Sequence, residues 1–435
     1  MSTLASPARE LLAEIESWAI LDPHTHLDPL RPAARHFDEI LGYHYYTEQA
    51  HSAGMPAADA SPELDPDERC RRVARYLDRI ENTTAYSWLS RIAREFHGLE
   101  AERIGPAEVE ALISRGGHAD DGTSWDESVW RRSKLECVFL TNDFDDPLVG
   151  FDTRRFVPCL RTDELVFKLD RPGVVERLSQ SSAVDVQDAG SLLQALGATF
   201  ERFVARGSKA CAISLPPDFV PRRSTPVVAG APLRRALRGL DLREDERALV
   251  QNHVFWTIAE LASEFRLPFD LMIGSIREIY PAGVAGGRDL LDRRVSLADY
   301  GELFRHFGSV TFPVSTLSPD ASEELVAYSW IFPNVLPMGH WWYSNLPAYI
   351  GNHLRARLQG VPRTKLLGYY SDAYKLEFVL PKFGMYREVL AEVLAEELVS
   401  RRAWSMTQAV DLARSILVEN PRRVFGLAAG ADLTS

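Results

Sequence analysis

The sequence predicts an α/β chain folded as a (β/α)8, TIM-like barrel. Three observations carry that expectation. Eight short apolar runs recur along the chain, helix-like stretches separate most of them, and 435 residues leave room for one barrel with insertions. Runs bounded by polar or turn residues and lacking polar alternation read as strands covered on both faces, as in parallel sheets. The same runs would also suit an open doubly wound sheet, and their number favours the barrel.

Taken in order, the expected strands are 19–22 (AILD), 137–141 (CVFLT), 157–161 (VPCLR) and 210–215 (ACAISL). The other four are 269–274 (FDLMIG), 310–314 (VTFPV), 335–339 (VLPMG) and 366–370 (LLGYY). Ahead of the first lies MSTLASPARELLAEIESW, which reads as a short amphipathic helix. Glu10, Glu14 and Glu16 stand where a signal peptide would need an apolar run. Stretches such as SLLQALGATFERFVARG and HVFWTIAELASEFRL have the spacing of crossover helices.

Two segments depart from simple alternation. Residues 36–134 hold helical patterns and an acidic, proline-bearing stretch, and read as a helical insertion packed over one barrel end. Residues 216–253 read as a loop and an extra helix. With no fixed-period repeat, the expectation is a single barrel domain over 1–435 with the insertion inside it.

Composition narrows the partners. The chain is 46% hydrophobic and 25% charged, which suits a large core and argues against disorder. With 49 Lys and Arg against 61 Asp and Glu, the net charge is −12, and no basic block offers a phosphate track. Nucleic acid is therefore not an expected partner, and an anionic substrate would need a locally positive pocket. No apolar stretch reaches 18 residues, so no helical membrane span is expected. Cys70, Cys137, Cys159 and Cys211 are far apart without a CxxC, which points to a reduced, cytoplasmic protein. The sequence is compatible with a homo-oligomer without specifying one.

The strongest chemical signal is Asp22-Pro23-His24-Thr25-His26 at the end of the first expected strand. Positions two apart on a strand share a face, so His24 and His26 would point together into the barrel mouth. Two imidazoles at that spacing suit one divalent cation, with Zn2+ the leading choice and Mn2+ an alternative. Hydrogen bonding to nearby carboxylates is the bland reading of the same pair. Asp372 follows the eighth run, which lies beside the first in a closed barrel, and a carboxylate suits such a metal. A helix N-cap by Ser371 or Asp372 is the alternative there. The fifth and sixth runs supply no histidine and the fourth no lysine, which argues for one metal rather than two.

These residues resemble the amidohydrolase superfamily, and the wider pattern is similar to its uronate isomerase (glucuronate isomerase) branch, including its shorter members. The pieces are DPHTHL, EILGYHYYTEQAHSAGMP, FLTNDFDDP, PCLRTDELV, CAISLPPDF, FDLMIGSIREIYP, GHWWYSN and YYSDAYKLEF, spread over nearly the whole chain. The resemblance implies a cation held by His24, His26 and Asp372. It implies conversion of an open-chain uronate aldose to its ketose by moving a proton from C2 to C1. That step needs a base at C2, stabilisation of an enediolate and an acid at C1. Tyr45 is the implied proton carrier, with His44 beside it and Asp372 also catalytic.

Arg161 matches the family arginine and would pair with the substrate carboxylate, unless it bridges Asp163 or Asp143. Asn142 and Asp143 stand where sugar hydroxyls need partners, and Trp341 and Trp342 are either packing or a sugar platform. The departure is at Asp372-Ala373-Tyr374-Lys375, where the family carries Asp-x-Arg. Tyr374 replaces a fixed positive charge, with Lys375 or Arg277 as substitutes. His51 likewise stands where relatives often show arginine. A second function therefore stays open: a metal-dependent hydrolase acting on an ester, amide or lactone through metal-bound water. A non-catalytic barrel binding a ligand ranks third.

Overall fold

The computed structural model describes residues 6–116 and 123–428. Ten strands were found among them: β1 (Ile20–Asp22), β2 (Leu135–Phe139), β3 (Phe156–Val157), β4 (Cys159–Arg161) and β5 (Ala210–Leu215), followed by β6 (Phe269–Ile273), β7 (Ser275–Ile276), β8 (Leu290–Leu291), β9 (Phe312–Thr316) and β10 (Val335–Pro337). Parallel pairing joins β1–β2–β3 in one sheet and β10–β9–β6–β5–β4 in another. A parallel bridge from Asn142 to Leu160 connects the two sheets. At the far edge, Met338 bridges Leu367, and Asp372 N–H donates to His24 O at 3.1 Å while His26 N–H donates to Ala373 O at 2.8 Å. Parallel contacts thus pass from β1 through β10 and residues 366–373 back to β1, consistent with a TIM-like barrel.

Two of the expected strands differ in form. The third run is split into β3 and β4 by Pro158, which lacks the N–H a continuous ladder needs. The eighth run, 366–370, is an extended segment rather than a ladder strand. It bonds β10 only at Leu367, which donates to Pro337 O at 3.2 Å and accepts from Gly339 N–H at 3.4 Å; beyond that Gly368 N–H donates to Ile416 O at 3.1 Å, and Ser371 N–H to Asp22 Oδ1 at 2.9 Å. The antiparallel β7–β8 hairpin after the fifth run was not foreseen.

Inward-facing residues of the strands form a compact interior cluster of Leu21, Phe139, Val157, Cys159, Ala212, Met272 and Leu336, with Phe425 packed against Phe139. Outward-facing residues pack on the crossover helices. Helix Ala189–Ala205 is started by Asp188, whose side chain accepts from Ser191 N–H, and it buries Leu192, Leu196, Phe200 and Phe203 at helical spacing. The expected N-terminal helix is present over Ser6–Ser17, burying Ala8, Leu11 and Ile15 against helix Val379–Leu394. Between β1 and β2 the described residues form a series of helices, including His44–Ser52, Pro66–Ala74 and Thr84–His97. Residues 117–122 of that stretch lie outside the described residues. All four cysteines are buried and free. No helix among the described residues is long and apolar enough to cross a membrane.

Candidate active site

The C-terminal ends of the strands open onto a cavity of about 430 Å3, lined by His24, His26, Thr141, Arg161, Ser214, Arg277 and Asp372 among others. That volume lies within the ~300–1,000 Å3 usual for small-molecule sites, at the barrel face where such enzymes place their chemistry. Helix His44–Ser52 and the segment before it contribute Tyr43, His44 and Tyr45 to the wall, and Trp341, Trp342 and Tyr374 complete it.

At the floor, His24, His26 and Asp372 bring one ligand atom each within 4.8 Å of one another. His26 Nε2 lies 3.2 Å and His24 Nε2 3.6 Å from the same Asp372 oxygen. Their other ring nitrogens are already engaged. Thr141 Oγ1 is 2.8 Å from His26 Nδ1, and Asp270 stands 3.6 Å from His24 Nδ1, an ion-pair distance rather than a tight hydrogen bond. His24 Nε2 itself is buried with no hydrogen-bond partner. A buried, unpartnered nitrogen beside a second imidazole and a carboxylate is the donor set a divalent cation needs. The residues present therefore fit a metal.

Asp372 is carried there by an unusual backbone. Its φ of 54° lies in the left-handed region, where Asp is among the residues that tolerate it. Ser371 is clamped by both oxygens of Asp22, so Asp22 holds the ligand segment and does not join the ligand set. Burial alone would raise the Asp372 carboxyl, but the bonds and charges of His26 and His24, with Lys382 behind them, hold it at about 2. Asp372 is thus an anion at any working pH. For His24, burial pulls the pKa down, yet Asp270, Asp372 and Asp22 outweigh it and raise it.

The remaining candidates are distributed unevenly. Arg161 lines the cavity and reaches Asp163 through Nε at 3.2 Å, and its terminal nitrogens have no hydrogen-bond partner among the described residues. His44 Nδ1 pairs with Glu48 at 2.7 Å, and the Tyr45 phenol is buried, which pushes its pKa well above 10. Tyr374 lines the cavity with its ring stacked on His26. Arg277, from β7 onward, also reaches the cavity, held by Asp289 at 2.5 Å and by Ser214 Oγ at 3.2 Å.

Four residues face elsewhere. Asn142 is buried, donating to Asp146 at 2.9 Å and accepting from Cys159 N–H at 3.3 Å. Asp143 is exposed and outside the cavity lining. Lys375 pairs with Glu39 at 2.6 Å, also outside the lining. His51 bonds Met55 O at 2.6 Å and stacks on Tyr280.

Sequence reasoning missed Asp270, Thr141, Tyr43 and Lys382. Asp270 carried a signal: a lone carboxylate inside the apolar run FDLMI has to be paired if it is buried.

The fold and the site define an α/β protein of TIM-like architecture with a His–His–Asp group at the mouth of its parallel strands. No family model matches the chain. The uronate isomerase of Thermotoga petrophila is 22% identical over 96% of this chain and 97% of its own. Among solved structures, the uronate isomerase of Thermotoga maritima superposes with a TM-score of 0.88 at 21% identity, covering 97% of this chain and 98% of the other. Glucuronate isomerase from Caulobacter crescentus gives 0.87 at 19% identity, over 98% and 95%. A Lactobacillus casei protein described as a metal-dependent hydrolase gives 0.62 at 11%, over 96% and 97%. The structural likenesses establish the shared fold, and the resemblance to the uronate isomerase family runs across nearly the full length of the chain.

Proposed function

We propose that this protein is a metal-dependent aldose–ketose isomerase of uronates or related sugar acids. The observation that carries the reading is the convergence of His24 Nε2, His26 Nε2 and Asp372 on one point at the cavity floor, with the opposite ring nitrogens engaged by Asp270 and Thr141. In this reading residues 36–134 are a helical insertion of a single amidohydrolase-type barrel, whose helices roof the cavity. The protein works in the cytoplasm, on a small sugar acid, with one ion held by His24, His26 and Asp372, Zn2+ leading and Mn2+ the alternative. Such an ion, when bound, acts as a Lewis acid on substrate oxygens.

The chain's own groups supply the rest. The free terminal nitrogens of Arg161 are suited to a bidentate grip on the substrate carboxylate. Tyr45 and His44 stand on the opposite wall as proton carriers. The Tyr45 phenol, raised by burial, is neutral at pH 7 and so is a donor rather than a base. Trp341 and Trp342 exclude water from one side of the sugar. Asn142, Asp143 and Lys375 lie outside the cavity lining, and this reading gives them no contact with the substrate.

Metal content measured on purified protein, followed by ketose formation over glucuronate, galacturonate and neutral aldoses, tests the reading. About one ion per chain with ketose formation, and exchange or transfer of the C2 hydrogen, is the expected result. Absence of metal in the purified and the metal-supplemented protein would sink it. Tyr374 in place of a cation favours one second reading, a metal-dependent hydrolase of an ester, amide or lactone. Incorporation of solvent oxygen into product, without hydrogen exchange at C2, would select it.

A further inference from the structure

Helix Val379–Leu394 carries Lys382 in its first turn, and that side chain is fully buried. Lysine is almost never buried without an opposite charge at contact. Among the described residues no carboxylate is recorded within ion-pair distance of this one. Its ammonium is instead ringed by aromatic faces, 4.9 Å from the Tyr45 ring, 5.0 Å from Tyr43, 5.1 Å from Trp88 and 5.8 Å from Phe378. It donates to the Tyr43 hydroxyl at 3.1 Å and to Ser371 O at 2.9 Å. Both hydrogen-bond partners belong to the site: Tyr43 lines the cavity, and Ser371 precedes the candidate ligand Asp372.

A methionine would fill the same space without desolvating a charge, although it would leave the Ser371 carbonyl and the Tyr43 hydroxyl without this donor. Asp372 and Asp22 favour the ammonium from a distance, but burial outweighs them and pulls the Lys382 pKa down to about 8.

We propose that Lys382 is a positioning residue of this site, whose ammonium occupies the Tyr43 oxygen as acceptor and so turns the phenol proton toward a substrate oxygen. The proposal rests on the isomerase reading above. In that reaction Tyr43 shares the proton-carrying role given to Tyr45: it gives its proton to the oxygen on C1 as the enediol forms. It takes one back from the oxygen on C2 as the new carbonyl appears, so the phenol is unchanged over the cycle. Lys382 keeps its own proton throughout and stabilises the transient phenolate, while the carbon-bound proton moves separately.

Lys382→Met and Tyr43→Phe test the pair in the metal-loaded protein. K382M removes a buried charge but leaves the Ser371 carbonyl without its donor; it is expected to stay folded with unchanged metal content and to lose about 10- to 100-fold in kcat/KM. The groups facing the ammonium are Tyr43, Tyr45, Trp88 and Phe378, with the charges of Asp372 and Asp22 beyond, and all remain in K382M. Y43F should lose about as much as K382M, and the double variant no more. A second readout needs no turnover. With tyrosine labelled at the Cζ carbon, the line absent from Y43F belongs to Tyr43 and should shift in K382M. A wild type that converts no aldose removes the isomerase reading, and the Tyr43 resonance then decides the pair. An unmoved resonance, or a K382M protein that keeps its kcat/KM, overturns the proposal.

Discussion

The Tyr374 ring lies on the His26 imidazole, with centroids 4.8 Å apart and planes inclined by 25°. The side chain that replaces the family arginine is therefore a cover for a candidate metal ligand, not a substitute cation. Two of the arginines lining the cavity act on its hydroxyl from a distance: burial and Asp372 raise the Tyr374 phenol, and Arg161 and Arg277 draw it back. Ring stacking of this kind is worth ~0.5–1.5 kcal/mol, the upper end of which is about tenfold in an equilibrium constant. Tyr374→Ala should weaken metal binding by up to about tenfold, whereas Tyr374→Phe keeps the ring and the affinity. Competition with a chelator measures both. Equal loss in the two variants would mean that the hydroxyl, not the ring, supports His26.

The groups behind the two histidines set which nitrogen is free. Asp270 faces His24 Nδ1 and Thr141 Oγ1 faces His26 Nδ1, so each Nε2 is turned to Asp372. Asp270→Asn removes the negative charge that favours this orientation, and Thr141→Val removes a hydroxyl at nearly constant shape. Both variants should retain their fold and lose about 10- to 100-fold in metal affinity, as outer partners of metal ligands generally do. Asp372→Asn, which takes away a ligand charge itself, should lose more than either. Full metal occupancy in D372N under the same competition would remove Asp372 from the ligand set.

Much of this was legible in the chain, and what was not has particular causes. HxH follows an apolar run, and the two imidazoles do meet at Asp372, although β1 ends at Asp22 and the pair lies just beyond the strand rather than on one face of it. Asp372 could be reached only through the barrel hypothesis, which puts the eighth segment beside the first. Lys382 and Tyr43 meet across 339 positions of sequence, and neither lies in a pattern that announces the other. The split of the third run was written in Pro158, whereas the eighth ladder is cut short by distant partners: Ile416 O takes the Gly368 N–H and Asp22 the Ser371 N–H. The FDLMI run displayed its buried acid openly, but attention to histidines at the fifth strand passed over it.

Asn142 illustrates how position after a strand can suggest binding where the structure supplies a tie. Its amide donates to Asp146 and accepts from Cys159 N–H, at the point where Asn142 bridges Leu160 and the two sheets join. Loss of a buried side chain that satisfies two polar partners costs ~1–3 kcal/mol. Asn142→Ala should lower unfolding stability by about that much and leave KM for the eventual substrate unchanged. A raised KM at unaltered stability would return Asn142 to the substrate-binding set.

Glu377 connects three segments of the chain in the interior. Its carboxylate accepts from Trp125 Nε1 at 2.7 Å and from Ala34 N–H at 2.9 Å, and it is fully buried. Burial pushes its pKa up to about 7, although the bonds from its own backbone, Trp125 and Ala34 and the charge of Lys375 all pull the other way. The folded protein therefore binds this proton more tightly than the unfolded chain does. A group raised in this sense stabilises the fold fully below its unfolded value of 4.5, and that contribution is lost as pH rises through 7. At most the effect is on the order of 3 kcal/mol, since a tenfold change in proton affinity corresponds to about 1.4 kcal/mol. Glu377→Gln has no proton to lose, so the stability of wild type relative to E377Q should fall by about 1–3 kcal/mol between about pH 5 and about pH 8. Denaturant unfolding of both proteins across that range checks it. A difference that stays constant with pH would mean that the bonds to Trp125 and Ala34 outweigh burial and keep Glu377 ionised throughout.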